Sequence, residues 1–103
     1  MGLMEPTGNG IGGDLFILYY EAKTGTVHGL NASGWAPRAL TVDYLRGKGV
    51  TTMPQRGPLA VTVPGVVAGW HAMRERFGRL PMRDLLAPAI HYADEGFPVA
   101  EIT

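Results

Sequence analysis

The chain has 103 residues, enough for one small domain with a modest core. Nine basic residues balance nine acidic ones, so its net charge of zero offers no general attraction to nucleic acid or an acidic membrane. The absence of cysteine excludes disulfides, thiolate zinc sites and a cysteine nucleophile. No apolar run reaches the length of a membrane span, and no charged-then-apolar stretch marks a signal peptide.

Gly8, Gly10, Gly12 and Gly13 form a loop that runs into Asp14-Leu15-Phe16-Ile17-Leu18-Tyr19-Tyr20. The apolar run is short, aromatic-rich and bounded by turn formers, which predicts a buried strand. A glycine loop pinned to a strand is a common mounting for binding loops. Gly8, Gly10 and Gly13 fit G-x-G-x-x-G, but a dinucleotide site needs the strand before the glycines and a helix after them. Here the order is reversed and no Lys-Ser or Lys-Thr pair follows, so nucleotide binding is set aside.

Glu21-Ala22-Lys23-Thr24-Gly25 is a short connection, with Gly25 available for a left-handed position. Thr26-Val27-His28-Gly29-Leu30-Asn31 reads as the returning strand of an antiparallel hairpin. Unbroken apolarity in the first strand implies cover on both faces. A lone hairpin cannot supply that, so more sheet is expected from elsewhere.

Asn31-Ala32-Ser33-Gly34-Trp35-Ala36-Pro37 is a turn, and Pro37 suits the first position of a helix. That helix is expected to reach Arg46 or Lys48, with Ala39, Leu40 and Tyr44 on one side. Asn31-Ala32-Ser33 also matches a glycosylation triplet, a pattern that arises often by chance. Residues 49–60 read as a loop, and Val61-Thr62-Val63 as a short extended segment ended by Pro64-Gly65. Val66, Trp70, Met73 and Phe77 then make one apolar helical stripe, read as core, with Gly78 as its stop. Pro88 predicts a break near Ala87 between a short helix and a second one running to Glu95. Gly96 caps the second helix.

Arg74, Arg76, Arg79 and Arg83 are interleaved with Glu75 and Asp84, the pattern of a solvated helix face. His28, His71 and His91 fall on three separate elements, which excludes a recognisable zinc spacing. Met1 opens almost directly on the glycine loop, and Ile102-Thr103 ends without a polar cap. The chain is therefore expected to be a piece of something larger.

Several stretches together resemble the γ-glutamyltranspeptidase family. They are Glu5-Pro6 with Gly10-Ile11-Gly12-Gly13; Tyr20-Glu21-Ala22-Lys23-Thr24-Gly25; Ala36-Pro37; Gly57-Pro58-Leu59-Ala60-Val61-Thr62-Val63-Pro64-Gly65 with Ala68-Gly69; and Leu85-Leu86-Ala87-Pro88-Ala89-Ile90 with Ala93-Asp94-Glu95-Gly96-Phe97-Pro98-Val99. They stand in family order and span nearly the whole chain.

The resemblance implies an α+β fold, part of a four-layer αββα sandwich of the N-terminal-nucleophile hydrolases. Residues 1–103 would be an incomplete piece of one larger domain in the large subunit. Its partners would be the rest of that subunit and the self-cleaved small subunit. The new N-terminal Thr of the small subunit would be the nucleophile, its own α-amine the base, and a γ-glutamyl or related acyl amide the substrate. No cofactor, metal, nucleic acid or membrane span is implied. Thr7, Thr51 and Thr52 are internal and Thr103 is C-terminal, so no catalytic residue is expected in this chain.

One departure bears on the substrate. The family turn carries an arginine before Glu-Thr-Ala-Pro that pairs with the α-carboxylate of the γ-glutamyl group, as a guanidinium fork suits a carboxylate. Aligned from Ala36-Pro37, that position holds Ser33, and no arginine lies between Asn31 and Pro37. Arg38 is the nearest cation. Two readings stand: Asn31, Ser33 and Trp35 line the acyl pocket of a divergent member, or they form only a turn with Trp35 in the core. For the parent protein the alternatives are a glutaryl- or cephalosporin-acylase-like amidohydrolase and a non-catalytic scaffold segment of an inactive relative.

Overall fold

In a computed structural model of the chain, residues 2–99 are described. Met1, Ile102 and Thr103, on which the expectation of an interrupted chain rests, lie outside them. The first element is an antiparallel hairpin of β1 (Leu15–Glu21) and β2 (Thr26–Ala32), in register from Leu15 opposite Ala32 to Glu21 opposite Thr26. Its connection closes through the Glu21 carbonyl, which accepts the Thr24 and Gly25 N–H groups at 3.2 and 2.8 Å. Gly25 takes the left-handed φ of 69° that this turn requires.

Alternate residues of β1 face opposite ways. Leu15, Ile17 and Tyr19 turn inward and are half-buried, whereas Phe16, Leu18 and Tyr20 are 68%, 84% and 61% exposed. Among the described residues one face of β1 is covered and the other is open, and the further sheet expected to cover it is not among them.

The covering element is α2 (Val66–Phe77). Gly69 is what lets it approach, since a Cβ there would lie 2.6 Å from Ala32 Cβ and 2.8 Å from Leu15 Cδ2. At the far end the Phe77 ring sits 4.4 Å from the Tyr19 ring and 4.8 Å from the His28 ring, centroid to centroid. The predicted stripe faces this way: Val66 is buried at 4% exposure, and Trp70, Met73 and Phe77 are half-buried. Gly65 offers no side-chain cap. The Gly13 carbonyl takes the Gly65 and Val66 N–H groups instead, at 3.0 and 3.1 Å.

Two helix expectations need correction. The first helix, α1, covers only Val42–Gly47, because Thr41 caps it with a side-chain oxygen that accepts the Tyr44 N–H at 3.1 Å. Pro37 instead begins a turn closed by Leu40 N–H to the Pro37 carbonyl, so Arg38 lies on no helix. The last helix, α3, is continuous over Met82–Glu95 with Pro88 inside it. The fixed φ of proline is itself helical. Pro88 therefore removes one hydrogen bond, to the Asp84 carbonyl on an exposed turn, without ending the helix. Gly96 does end it, at φ 87°, donating its N–H to Tyr92. Within the predicted loop, Pro58–Ala60 makes one 3-10 turn.

The class is α+β, a hairpin followed by helices. Val66, at 4% exposure, is the one buried large apolar side chain among the described residues. The radius of gyration is 17.8 Å, against about 13 Å for a compact domain of 100 residues.

Candidate functional site

At the end of β2 the chain reverses through a local hydrogen bond: Asn31 Oδ1 accepts the Ser33 N–H at 2.9 Å. This is the Asx geometry that asparagine offers a turn. The next residue is held from a distance. Asp14 Oδ1 accepts the Gly34 N–H at 2.8 Å and the Thr62 hydroxyl at 3.0 Å. The Val63 N–H then donates to the Trp35 carbonyl at 2.9 Å. Residues 61–65, expected as a short extended segment, thus run beside the turn without joining a sheet.

The two backbones are close enough to exclude side chains. A Cβ on Gly34 would run into the Val63 carbonyl oxygen, and one on Gly65 into the Ala32 carbonyl oxygen. Between the turn, Val63-Pro64-Gly65 and α2 lies a cleft of about 360 Å3. Asn31, Ser33 and Trp35 all border it, and Ala68, Gly69 and Ala72 of α2 form its floor. Trp35 is 87% exposed and is not a core residue.

The electrostatics of the cleft are those of a neutral site. Its side-chain polar groups are the Asn31 amide, the Ser33 hydroxyl and the Trp35 indole N–H, and no cation borders it. Arg38 is exposed and outside the lining. Asp14 stands behind the turn, its carboxyl held below the usual carboxylate range by the Gly34 N–H and then by the Thr62 hydroxyl.

The remaining candidates lie elsewhere. Thr7 donates its hydroxyl to Glu5 at 3.3 Å, and Thr51 and Thr52 border a separate hollow beside α1. His28 packs on Tyr19 and Phe77 and reaches Glu21 at 3.4 Å, while His71 pairs with Glu75 one helical turn away. Among the described residues no three metal-ligating side chains come together. Arg74 donates to the Leu80 carbonyl and Arg83 pairs with Asp84, so these arginines form no basic patch.

A family model described as Gamma-glutamyltranspeptidase matches residues 1–103. The chain belongs to the γ-glutamyltranspeptidase family. It is 40% identical over 101 residues to the glutathione hydrolase-like YwrD proenzyme of Bacillus subtilis strain 168, covering 97% of this chain and 19% of that protein. It is also 40% identical over 103 residues to the oxamate amidohydrolase proenzyme of Klebsiella pneumoniae, with 94% and 19% covered. Its fold matches the crystal structure of Helicobacter pylori gamma-glutamyltranspeptidase with a TM-score of 0.82 at 31% identity, covering 97% of this chain and 29% of that one. The chain thus spans about a fifth of the length of these curated γ-glutamyltranspeptidase relatives.

Sequence reasoning named Asn31, Ser33 and Trp35, and the structure brings all three to one cleft. It passed over Asp14 and Thr62. A signal was present for the first: Asp14 is a lone carboxylate between two glycines and an apolar strand, where a charge needs partners. Thr62, in a short β-like run, carried none.

Proposed function

We propose that this chain is part of the large subunit of a γ-glutamyltranspeptidase-like amidohydrolase. Residues 1–103 are then a piece of one larger domain, a four-layer αββα sandwich. The open face of β1, with Phe16, Leu18 and Tyr20, supports this reading, because apolar area of that size is stabilised by a second layer.

The reactive group belongs to the partner subunit released by self-cleavage. Its N-terminal threonine hydroxyl attacks the amide carbonyl carbon while the α-amine of the same residue takes the hydroxyl proton. Backbone N–H groups stabilise the oxyanion, and collapse of the tetrahedral intermediate expels the protonated amine and leaves an acyl ester. Water or an acceptor amine then releases the acyl group. Asn31, Ser33 and Trp35 line the pocket for that acyl group. The reading is supported by the family match over residues 1–103 together with a cleft bordered by Ser33, the residue that counting back from Ala36-Pro37 sets at the family arginine position.

A neutral serine cannot make the paired charge-assisted bonds a guanidinium makes to a carboxylate. The acyl group is therefore one with no carboxylate at its far end, such as a butyryl chain; a glutaryl chain keeps that carboxylate and lacks only the γ-glutamyl amine. The kinship to an oxamate amidohydrolase as well as to a glutathione hydrolase-like protein supports a family tolerant of different acyl groups.

The test uses the full-length protein. The precursor is expected to split into two bands on a gel and to hydrolyse butyryl amides, which lack the carboxylate, faster than γ-glutamyl amides. Ser33→Arg is expected to shift that preference toward γ-glutamyl amides by about tenfold or more. Unchanged relative rates would remove the pocket assignment. A single unsplit band with no amide cleavage would instead favour the scaffold reading.

A further inference from the structure

We infer that Asp14 is the positioning residue of the acyl-binding turn, its Oδ1 fixing the turn against residues 61–65 and so setting the width of the cleft. The inference rests on the reading of the cleft given above. Asp14 does not border the cleft, so any effect it has on substrate passes through the turn. One oxygen takes both the Gly34 N–H, on one wall, and the hydroxyl of Thr62, the residue before the other wall. Among the described residues Asp14 makes no ion pair, so its charge is directed to these two donors and, more weakly, to the Ser33 hydroxyl. Hydrogen bonds to an ionised acceptor are roughly twice as strong as neutral ones.

The neighbouring residue reinforces the arrangement. The Gly13 carbonyl accepts the first N–H groups of α2, the helix that floors the cleft. Residues 13 and 14 therefore tie both walls and the floor to the start of β1. Within the turn, Asn31 Oδ1 holds Ser33 only locally. Without Asp14, the Val63–Trp35 backbone bond alone would hold Gly34 and its neighbours against the opposite wall.

A group that shapes substrate binding without touching the reacting atoms changes KM and leaves kcat in place. Asp14→Ala, Asp14→Asn and Thr62→Val are made in the full-length protein; self-cleavage and melting temperature are measured, and kcat and KM on butyryl and γ-glutamyl amides. Asp14→Ala is expected to raise KM about tenfold or more, with kcat and self-cleavage close to wild type. Asp14→Asn keeps an acceptor oxygen and recovers most of the loss. Thr62→Val gives a smaller rise, and provides the readout if Asp14→Ala does not fold.

Unchanged KM and substrate preference in the Asp14 and Thr62 variants, while Ser33→Arg shifts the preference, would overturn the role of Asp14 and leave the cleft intact. A fall in melting temperature with kcat and KM both unaltered would also overturn it, as a purely structural contact. If Ser33→Arg too leaves preference unchanged, the cleft reading itself fails and takes this inference with it.

Discussion

Asp14 and Gly34 are 20 positions apart, yet Asp14 Oδ1 accepts the Gly34 N–H at 2.8 Å. The bond lies just beyond the last strand pair, Leu15 with Ala32, and closes the open end of the hairpin. It thereby connects sheet register to the shape of the turn.

Stability should fall in acid through this carboxyl. The folded-state pKa of Asp14 is depressed, first by the Gly34 N–H and then by the Thr62 hydroxyl. Its contribution is complete above the unfolded-chain value of about 4 and is lost as pH drops through the lower folded value. The Glu21 carboxyl, lowered first by the Thr24 hydroxyl and then by His28, acts in the same direction. Melting temperatures of the full-length protein between pH 6 and pH 3 should show the decline, with a shallower slope for Asp14→Asn.

Gly34→Ala should be among the most damaging small substitutions. The added methyl meets the Val63 carbonyl, a backbone atom that cannot rotate away. The expected cost is at the upper end of overpacking, about 3 kcal/mol. Denaturant midpoints report it.

Phe77→Ala should loosen α2 from the hairpin by removing the contacts to Tyr19 and His28. Because Phe77 is half-buried, the loss is expected near 1–2 kcal/mol, below the 3–5 typical of a fully buried phenylalanine. Phe77→Leu should recover part of it.

The start of α1 rests on Thr41. Thr41→Ala removes the acceptor for the Tyr44 N–H and should cost about 1 kcal/mol. Faster amide exchange at Tyr44, with little change in β1 and β2, would mark the effect as local.

These elements differ in how far the chain announced them. The hairpin was legible because Leu15–Glu21 is dense in strand formers and Gly25 supplies its turn. The α2 stripe was legible from its spacing. Two helix boundaries were not, for one reason: each proline was given more weight than its site allowed. Pro37 reads as a helix start, although Thr41 offers the stronger cap. Pro88 reads as a break, although it costs a single bond on an exposed turn. The turn residues of the cleft were legible through the family pattern around Ala36-Pro37. Asp14 and Thr62 were not, since they are 48 positions apart and only folding brings them within 3.0 Å.

The narrow part of the cleft is walled by peptide planes, because neither Gly34 nor Gly65 has room for a methyl. On the proposed function, single residue exchanges therefore have few handles on acyl preference. Changes at Ser33 or Trp35 alter the chemistry at the mouth, while the bore stays as it is. Admitting a bulkier donor would call for inserting a residue between positions 31 and 35.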